Sequence, residues 1–446
     1  MTKRQADPAP AATRERLEVL DALRGFALCG ILLINLPHMG WIMESGEWLP
    51  GNAAWTASGI LWWPQMMLVH GNMRGLFSLL FGASMLLFLA KAERGSATRG
   101  RATTLMLRRL FWLFAFGVVN MTLLLWPGDI LNIYAMAGLI VLPFATARPR
   151  TLALAATAVI AGVSIYMVAN QLPKRAVLDQ GPALQAQVAA GRSLDSGHKE
   201  VLDKWRDYRA GDTVAPAAVA KERAVRLAGY GANLAYLSNI SWEWMIDWKE
   251  TLRWVFDAAG FMLVGMLLYR LGWLQGDAPL RAYAALILIG YGAGLPLKAI
   301  EAVAEWRINT GQGDPQFWQF LLPAATMQTA RLLVTLGHVG LFLWCWKTLR
   351  LSLRPLQALG RMAFTGYLLQ SALGAVTFSG FGLGLWGRLD LVGLFVASAI
   401  IWAIEIVFAV AWLSRFSMGP LEWVWRTLTY GEPPAIRQMP APAPAA

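Results

Sequence analysis

Apolar runs of about twenty residues recur from one end of this chain to the other, and no water-soluble fold can bury that many. The clearest span residues 23–43, 65–90, 110–126, 130–147, 152–169, 253–269, 282–297, 322–346, 362–380 and 391–413. Composition agrees. Of 446 residues 57% are hydrophobic and 15% charged, against about 25% charged in an ordinary globular chain. A cytosolic enzyme and a disordered chain are both excluded. The expected fold is all-α, a polytopic integral membrane bundle of about ten transmembrane helices. An eleventh segment at 53–63 is short and rich in Trp, and reads better as a helix at the headgroup level.

Charge orients the bundle. Basic residues follow every even-numbered run, and more precede the first, which places those loops and both termini in the cytoplasm. The same loops account for the net charge of +12, so no nucleic-acid partner is implied. The first run is longer than a signal-peptide core and no small-residue cleavage site follows it, so it is retained. Cys29 and Cys345 both lie inside apolar runs and imply no disulfide. The expected organisation is a disordered tail at 1–16, a transmembrane half at 17–170, non-membrane helices on the outer face at 171–250, a second transmembrane half at 251–430 and a disordered tail at 431–446. The localisation that follows is a multi-pass protein of a bacterial inner membrane.

Polar groups at membrane depth are costly and tend to mark function. In the first run Arg24, Asn35 and His38 are 11 and 14 residues apart from the arginine, close to three and four helical turns, so all three fall near one stripe. Asn35 and His38 then lie roughly 16 and 21 Å beyond Arg24. A cation at the inner mouth with a base deeper along the same face would suit a donor entering from the cytoplasm. An arginine anchored at the headgroups and a satisfied outer histidine explain the same pattern. His70 and Arg74, four apart, share a helical face. Small residues Gly82, Ala83 and Ser84 read as helix packing. Asp129 follows the turn-forming Pro127 and Gly128, where it caps the next helix or orients an imidazole such as His38. Asn120 is a polar residue within the preceding span. Asp257, Arg331, His338, Gln370 and Glu405 lie deeper, the first two as a candidate buried pair. No metal-ligand spacing, phosphate loop or hydrolase nucleophile motif occurs.

Several blocks together resemble one family. R-x-x-x-L-D-A-L-R-G-F-A-x-x-G-I-L-L-x-N at 16–35, L-F-S-L-L-F-G-A at 76–83, R-R-L at 108–110, G-D-I-L-x-x-Y-A at 128–135, G-R-M-A-F-T-G-Y-L-L-Q-S at 360–371 and G-P-L-E-W-V-W-R at 419–426 are similar to the YeiB-like bacterial membrane proteins, domain of unknown function 418. That family looks distantly related to transmembrane acyltransferases, among them the heparan glucosamine acetyltransferase. The resemblance implies acyl-CoA on the cytoplasmic side as donor. It implies an envelope sugar or small molecule as acceptor across the bilayer. The residue spacing leads to no expected metal, and a homo-oligomer is among the possible partners. On that footing Arg24, Arg74, Arg108, Arg109 and Arg361 would hold the phosphates of acyl-CoA. His38, oriented by Asp129, would act as base and Asn35 would donate to the oxyanion.

The sequence departs from the pattern at two places. Surface-sugar acyltransferases have a histidine where Asn35 stands, and YeiB-like chains commonly have one where Asn120 stands. An amide cannot serve as general base near neutral pH, which leaves His38 or His70 as substitute or the chain without activity. The rival expectations are a transporter or channel using Asp257, Arg331, Gln370 and Glu405, and a non-catalytic membrane partner.

Overall fold

A computed structural model describes residues 10–41, 56–94, 98–210, 216–310, 314–349 and 353–437. Among these the chain is helical, with one isolated bridge between Phe416 and Arg437 in place of any strand. The helices are α1 (Pro10–Gly40), α2 (Ala57–Pro64), α3 (Asn72–Arg94), α4 (Arg99–Thr122), α5 (Leu131–Val141), α6 (Pro149–Gln171), α7 (Lys174–Ala189), α8 (Ser196–Ala210) and α9 (Pro216–Arg226). They continue as α10 (Tyr230–Ile246), α11 (Trp248–Arg270), α12 (Leu280–Asn309), α13 (Trp318–Leu349), α14 (Arg354–Arg361), α15 (Ala363–Phe378), α16 (Leu391–Leu413) and α17 (Pro420–Tyr430).

Among the described residues, eight helical stretches are long and apolar enough to cross a membrane. They account for eight of the ten expected runs. The other two form shorter helices. The run at 130–147 gives an 11-residue α5 that tightens into a 3-10 turn at Leu142–Thr146, because Pro143 supplies no donor for a continued α-helix. The run at 362–380 gives the 16-residue α15.

The run at 65–90 is not one helix. A π-helical turn at Gln65–Val69 joins α2 to a break at His70 and Gly71, and α3 starts at Asn72. Gly71 has φ +73°, a conformation that a side chain disfavours. An added Cβ there would also sit 2.8 Å from Nε of Arg331. The expected headgroup-level segment at 53–63 lies partly outside the described residues. Its Trp62 is buried against Trp306 instead of facing outward, with ring centroids 5.2 Å apart.

Helices α7 to α10 cover the expected non-membrane segment. A small core of Leu178, Leu184, Leu202 and Trp205 holds α7 against α8. The segment caps one end of the bundle. Arg226 donates to the Met39 carbonyl (2.7 Å), Ser241 to the Met121 carbonyl (2.9 Å) and Tyr230 to the Leu123 carbonyl (2.8 Å). Of the expected tails, residues 1–9 and 438–446 lie outside the described residues, and α1 already begins at Pro10. Residues 431–437 are held down: Ser417 N–H donates to the Ile436 carbonyl and the Trp423 indole to the Pro434 carbonyl.

At the other end, α14 crosses α1 with backbone against backbone. A Cβ on Gly360 would overlap the Asp21 carbonyl, and one on Gly25 would overlap the Leu356 carbonyl. This crossing sets Arg24 and Arg361, each next in sequence to one of the two glycines, at the same end of the bundle. Gly360→Val is therefore expected to cost about 3 kcal/mol through overpacking. Gly100→Val, at an exposed site with open space around it, should stay within about 0.5 kcal/mol. Thermal unfolding of the detergent-purified variants measures both, and equal melting would refute the crossing.

Candidate functional site

One cavity of about 580 Å³ opens at the end where α1 meets α14, within the usual range of small-ligand sites. Its mouth gathers Arg24, Lys91, Arg94, Arg109, Arg361 and Arg426. Two of these cations are already engaged by their own surroundings. Arg24 donates to Asp21 (2.5 Å) and Ser84 (3.0 Å), and Arg361 to the Ser417 carbonyl (2.9 Å). Arg109 is different. Its guanidinium lies 3.6 Å over the Trp425 ring and 5.1 Å over Phe88, and the Trp425 indole N–H fixes the same turn by donating to the Arg109 carbonyl (2.9 Å). Aromatic faces hold that charge in place while leaving its N–H groups available to an anion.

Away from the mouth the walls turn apolar, with Phe77, Phe81, Leu113, Leu131 and Phe364, and the hydroxyls of Tyr134 and Tyr367 mark the deep end. Tyr134 exchanges a hydrogen bond with Ser78 (2.7 Å) and donates to the Arg74 carbonyl (3.2 Å). Tyr367 donates to Asp129 (3.3 Å) and accepts from the Ile130 N–H (3.2 Å). Asp129 is buried and caps α5. It accepts from the N–H groups of Leu131 (2.8 Å) and Asn132 (3.1 Å), and Asn120 donates to its other oxygen (2.8 Å). Burial pushes the Asp129 carboxyl up to about 7, the hydrogen bonds from Asn120 and the helix start opposing it.

A second polar cluster lies where α3 breaks. Asp257 accepts from Arg331 with both oxygens (2.7 and 3.1 Å) and from Arg74 (3.2 Å). Beside it, Lys298 pairs with Glu301 (2.7 Å), and His70 Nδ1 stands 3.5 Å from the same carboxylate. His338 donates from Nε2 to the Leu68 carbonyl (2.7 Å) and so accepts at Nδ1 from Tyr291 (2.7 Å).

The residues singled out from sequence thus divide. Arg24, Arg109 and Arg361 converge on the cavity. Arg74 does not, because it turns to Asp257, and Arg108 is exposed, one residue round the helix from Arg109. His38 and Asn35 are half-buried on α1 outside the cavity lining. Asp129 accepts from Asn120, Leu131, Asn132 and Tyr367, so the expected cap is realised. Glu405 accepts from Gln370 (3.0 Å) on α15, apart from both sites. Sequence reasoning missed Lys91, Arg94, Trp425, Arg426 and the two tyrosines. The 419–426 block held the signal for Trp425 and Arg426, though nothing local tied it to Arg109. No group of His, Cys, Asp or Glu able to hold a metal occurs among the described residues.

A chain whose described residues form a helical bundle with eight membrane-length apolar helices and a basic cavity at one end is a polytopic helical membrane protein. A family model described as protein of unknown function (DUF418) matches residues 268–432. The uncharacterized protein YeiB of Escherichia coli (strain K12) is 29% identical over 429 residues, covering 93% of this chain and 96% of its own. The uncharacterized protein YxaH of Bacillus subtilis (strain 168) is 27% identical over 438 residues, covering 94% and 96%. The chain is thus similar to these YeiB-like proteins along most of its length, and its C-terminal part matches the DUF418 model.

Glu422 in the cavity wall gives a pH test. It caps α15, accepting from the N–H groups of Phe364 (2.8 Å) and Thr365 (3.1 Å) and from the Thr365 hydroxyl (2.5 Å). Burial raises its carboxyl above the ordinary 4.5 despite these donors. The folded state therefore holds the proton more tightly than the unfolded one, and this contribution to stability is lost as pH rises above 4.5 through the folded value. Glu422→Gln keeps an acceptor and cannot ionise. Its melting temperature should gain on wild type steadily from acid to neutral pH, and parallel curves would exclude a raised Glu422.

Proposed function

We propose that this chain is an acyl-CoA-dependent acyltransferase of a bacterial inner membrane, crossing it about ten times with both termini in the cytoplasm. The observation that carries the reading is the cavity, whose six cations surround a mouth and whose far end is apolar and closed by Tyr134 and Tyr367. That polarity matches a molecule with phosphates at one end and an acyl chain at the other. Arg109, Arg24 and Arg361 would hold phosphate oxygens by charge-assisted hydrogen bonds. The acyl chain would lie along Phe77, Phe81 and Phe364. The acceptor, an envelope sugar or small molecule, would lose its hydroxyl or amine proton as its new bond to the acyl carbon forms and the thioester carbon–sulfur bond breaks, CoA leaving as the thiolate that finally takes up that proton. Asp129, through Tyr367, is the carboxylate at the deep end that would support this proton transfer. His38 is not among the lining of this cavity and is given no role in this arrangement.

The transporter reading retains one observation, the break in a membrane-length helix beside buried charges, a feature of solute paths. Its four expected residues nevertheless form two separate pairs, Asp257 with Arg331 and Gln370 with Glu405.

Thermal shift of the purified protein with acetyl-CoA and longer acyl-CoAs tests the reading. A saturable rise in melting temperature is expected, about 2.7 kcal/mol at a hundredfold excess over Kd. Arg109→Ala should weaken apparent affinity at least tenfold, about 1.4 kcal/mol, while Arg108→Ala should not. No shift with any acyl-CoA at millimolar ligand would sink the donor site and favour transport.

A further inference from the structure

Among the described residues, the ion pairs around the break between α2 and α3 leave one cation without a carboxylate of its own. Arg74 and Arg331 share one carboxylate, Asp257. The neighbouring cations are already neutralised: Lys298 by Glu301 (2.7 Å) and Arg253 by Glu250 (2.6 Å). His70, on the same side, adds no negative charge. Glu305, one further carboxylate, is exposed and acts on Lys298, so among these described pairs one positive charge remains, on the Arg74–Asp257–Arg331 group about half-way along the bundle. Asp257 is nine residues into the 23-residue α11, roughly 14 Å from one end and 20 Å from the other. An uncompensated charge at such depth is strongly unfavourable.

The excess falls on Arg74. Arg331 is 2% accessible and spends both its terminal nitrogens on Asp257, whereas Arg74 is 23% accessible and reaches Asp257 through Nη2 alone. Its Nε is buried with no partner. The field is positive from the backbone as well. Arg74 sits in the first turn of α3, a turn with no acidic residue, where the unsatisfied N–H groups carry partial positive charge. The Trp254 ring, 3.9 Å from the guanidinium, forms a wall that cannot neutralise it. Arg253 lies over the same ring at 4.3 Å.

We propose that Arg74 completes a binding site for a small monovalent anion, a carboxylate or a halide, that enters the accessible side of Arg74 beside Trp254. The anion balances the second guanidinium on Asp257. This site is separate from the basic cavity and does not depend on the acyl-transfer reading.

The test is the melting temperature of the purified protein, titrated with sodium acetate or sodium chloride against sodium isethionate at constant ionic strength. Wild type is expected to show a saturable rise with at least one of the two small anions. A rise with acetate alone identifies a carboxylate site, and a rise with both identifies a general monoanion site. Arg74→Gln should weaken the response at least tenfold and, without the anion, melt no lower than wild type, because it relieves repulsion with Arg331. Arg74→Lys, which keeps the charge and loses the planar fork, should retain a chloride response and lose much of any acetate response. No saturable rise in wild type overturns the proposal. So does an undiminished response in Arg74→Gln, or an Arg74→Gln protein that melts lower in the absence of anion.

Discussion

The carboxylate of Asp257 is the interaction around which the middle of the bundle is arranged. It brings together α11, α3 and α13 by accepting from Arg331 and Arg74, and in doing so it makes an interruption of a membrane-length helix tolerable. Broken backbone at that depth must find partners within the protein, since lipid offers none. Here α13 supplies them from successive turns. Arg331 Nε donates to the Gly71 carbonyl (3.3 Å), Thr335 to the Asn72 carbonyl (3.1 Å) and His338 to the Leu68 carbonyl (2.7 Å). Asn72 closes the set by donating to the Met67 carbonyl (3.1 Å). Without Asp257, Arg331 would be a buried cation with nothing to hold it against the break.

The break and the basic cavity are joined by a short polar bridge. The Tyr134 hydroxyl at the deep end of the cavity bonds to Ser78 and to the Arg74 carbonyl, one helical turn apart on α3. Close packing of α3 on α11 keeps this bridge rigid, since Gly82 meets the Met262 backbone and Gly265 the Leu79 backbone. The small residues of L-F-S-L-L-F-G-A thus act in packing, as their size suggests. The cavity has its own support. Gly25 and Gly360 bring Arg24 and Arg361 together, and Trp425 stacks on Arg109.

Much of this was legible along the chain. Eight of the ten apolar runs form membrane-length helices, and the pairing of Asp257 with Arg331 follows from two opposite charges that neither could bury alone. Asp129 reads as a helix cap from Pro127 and Gly128 before it. The helix break was not legible, because Gly71 within an apolar run is equally compatible with a continuous helix. Its meaning depends on Arg331, 260 residues away, filling the space where a side chain would be. Arg74 illustrates the same limit. By charge and position it resembled the phosphate-binding arginines, but it lies about 15 Å further along α3 than Ser84, which marks the Arg24 level.

The sequence by itself determined that this is a helical membrane protein with a strongly basic set of loops, because hydropathy and charge are sums over neighbouring residues. Only the tertiary structure decided which arginines share a cavity, which carboxylate two of them share and where a membrane-length helix stops. Those outcomes depend on the rotation of each helix about its axis and on contacts between residues hundreds of positions apart, and neither is written in any local window of the chain.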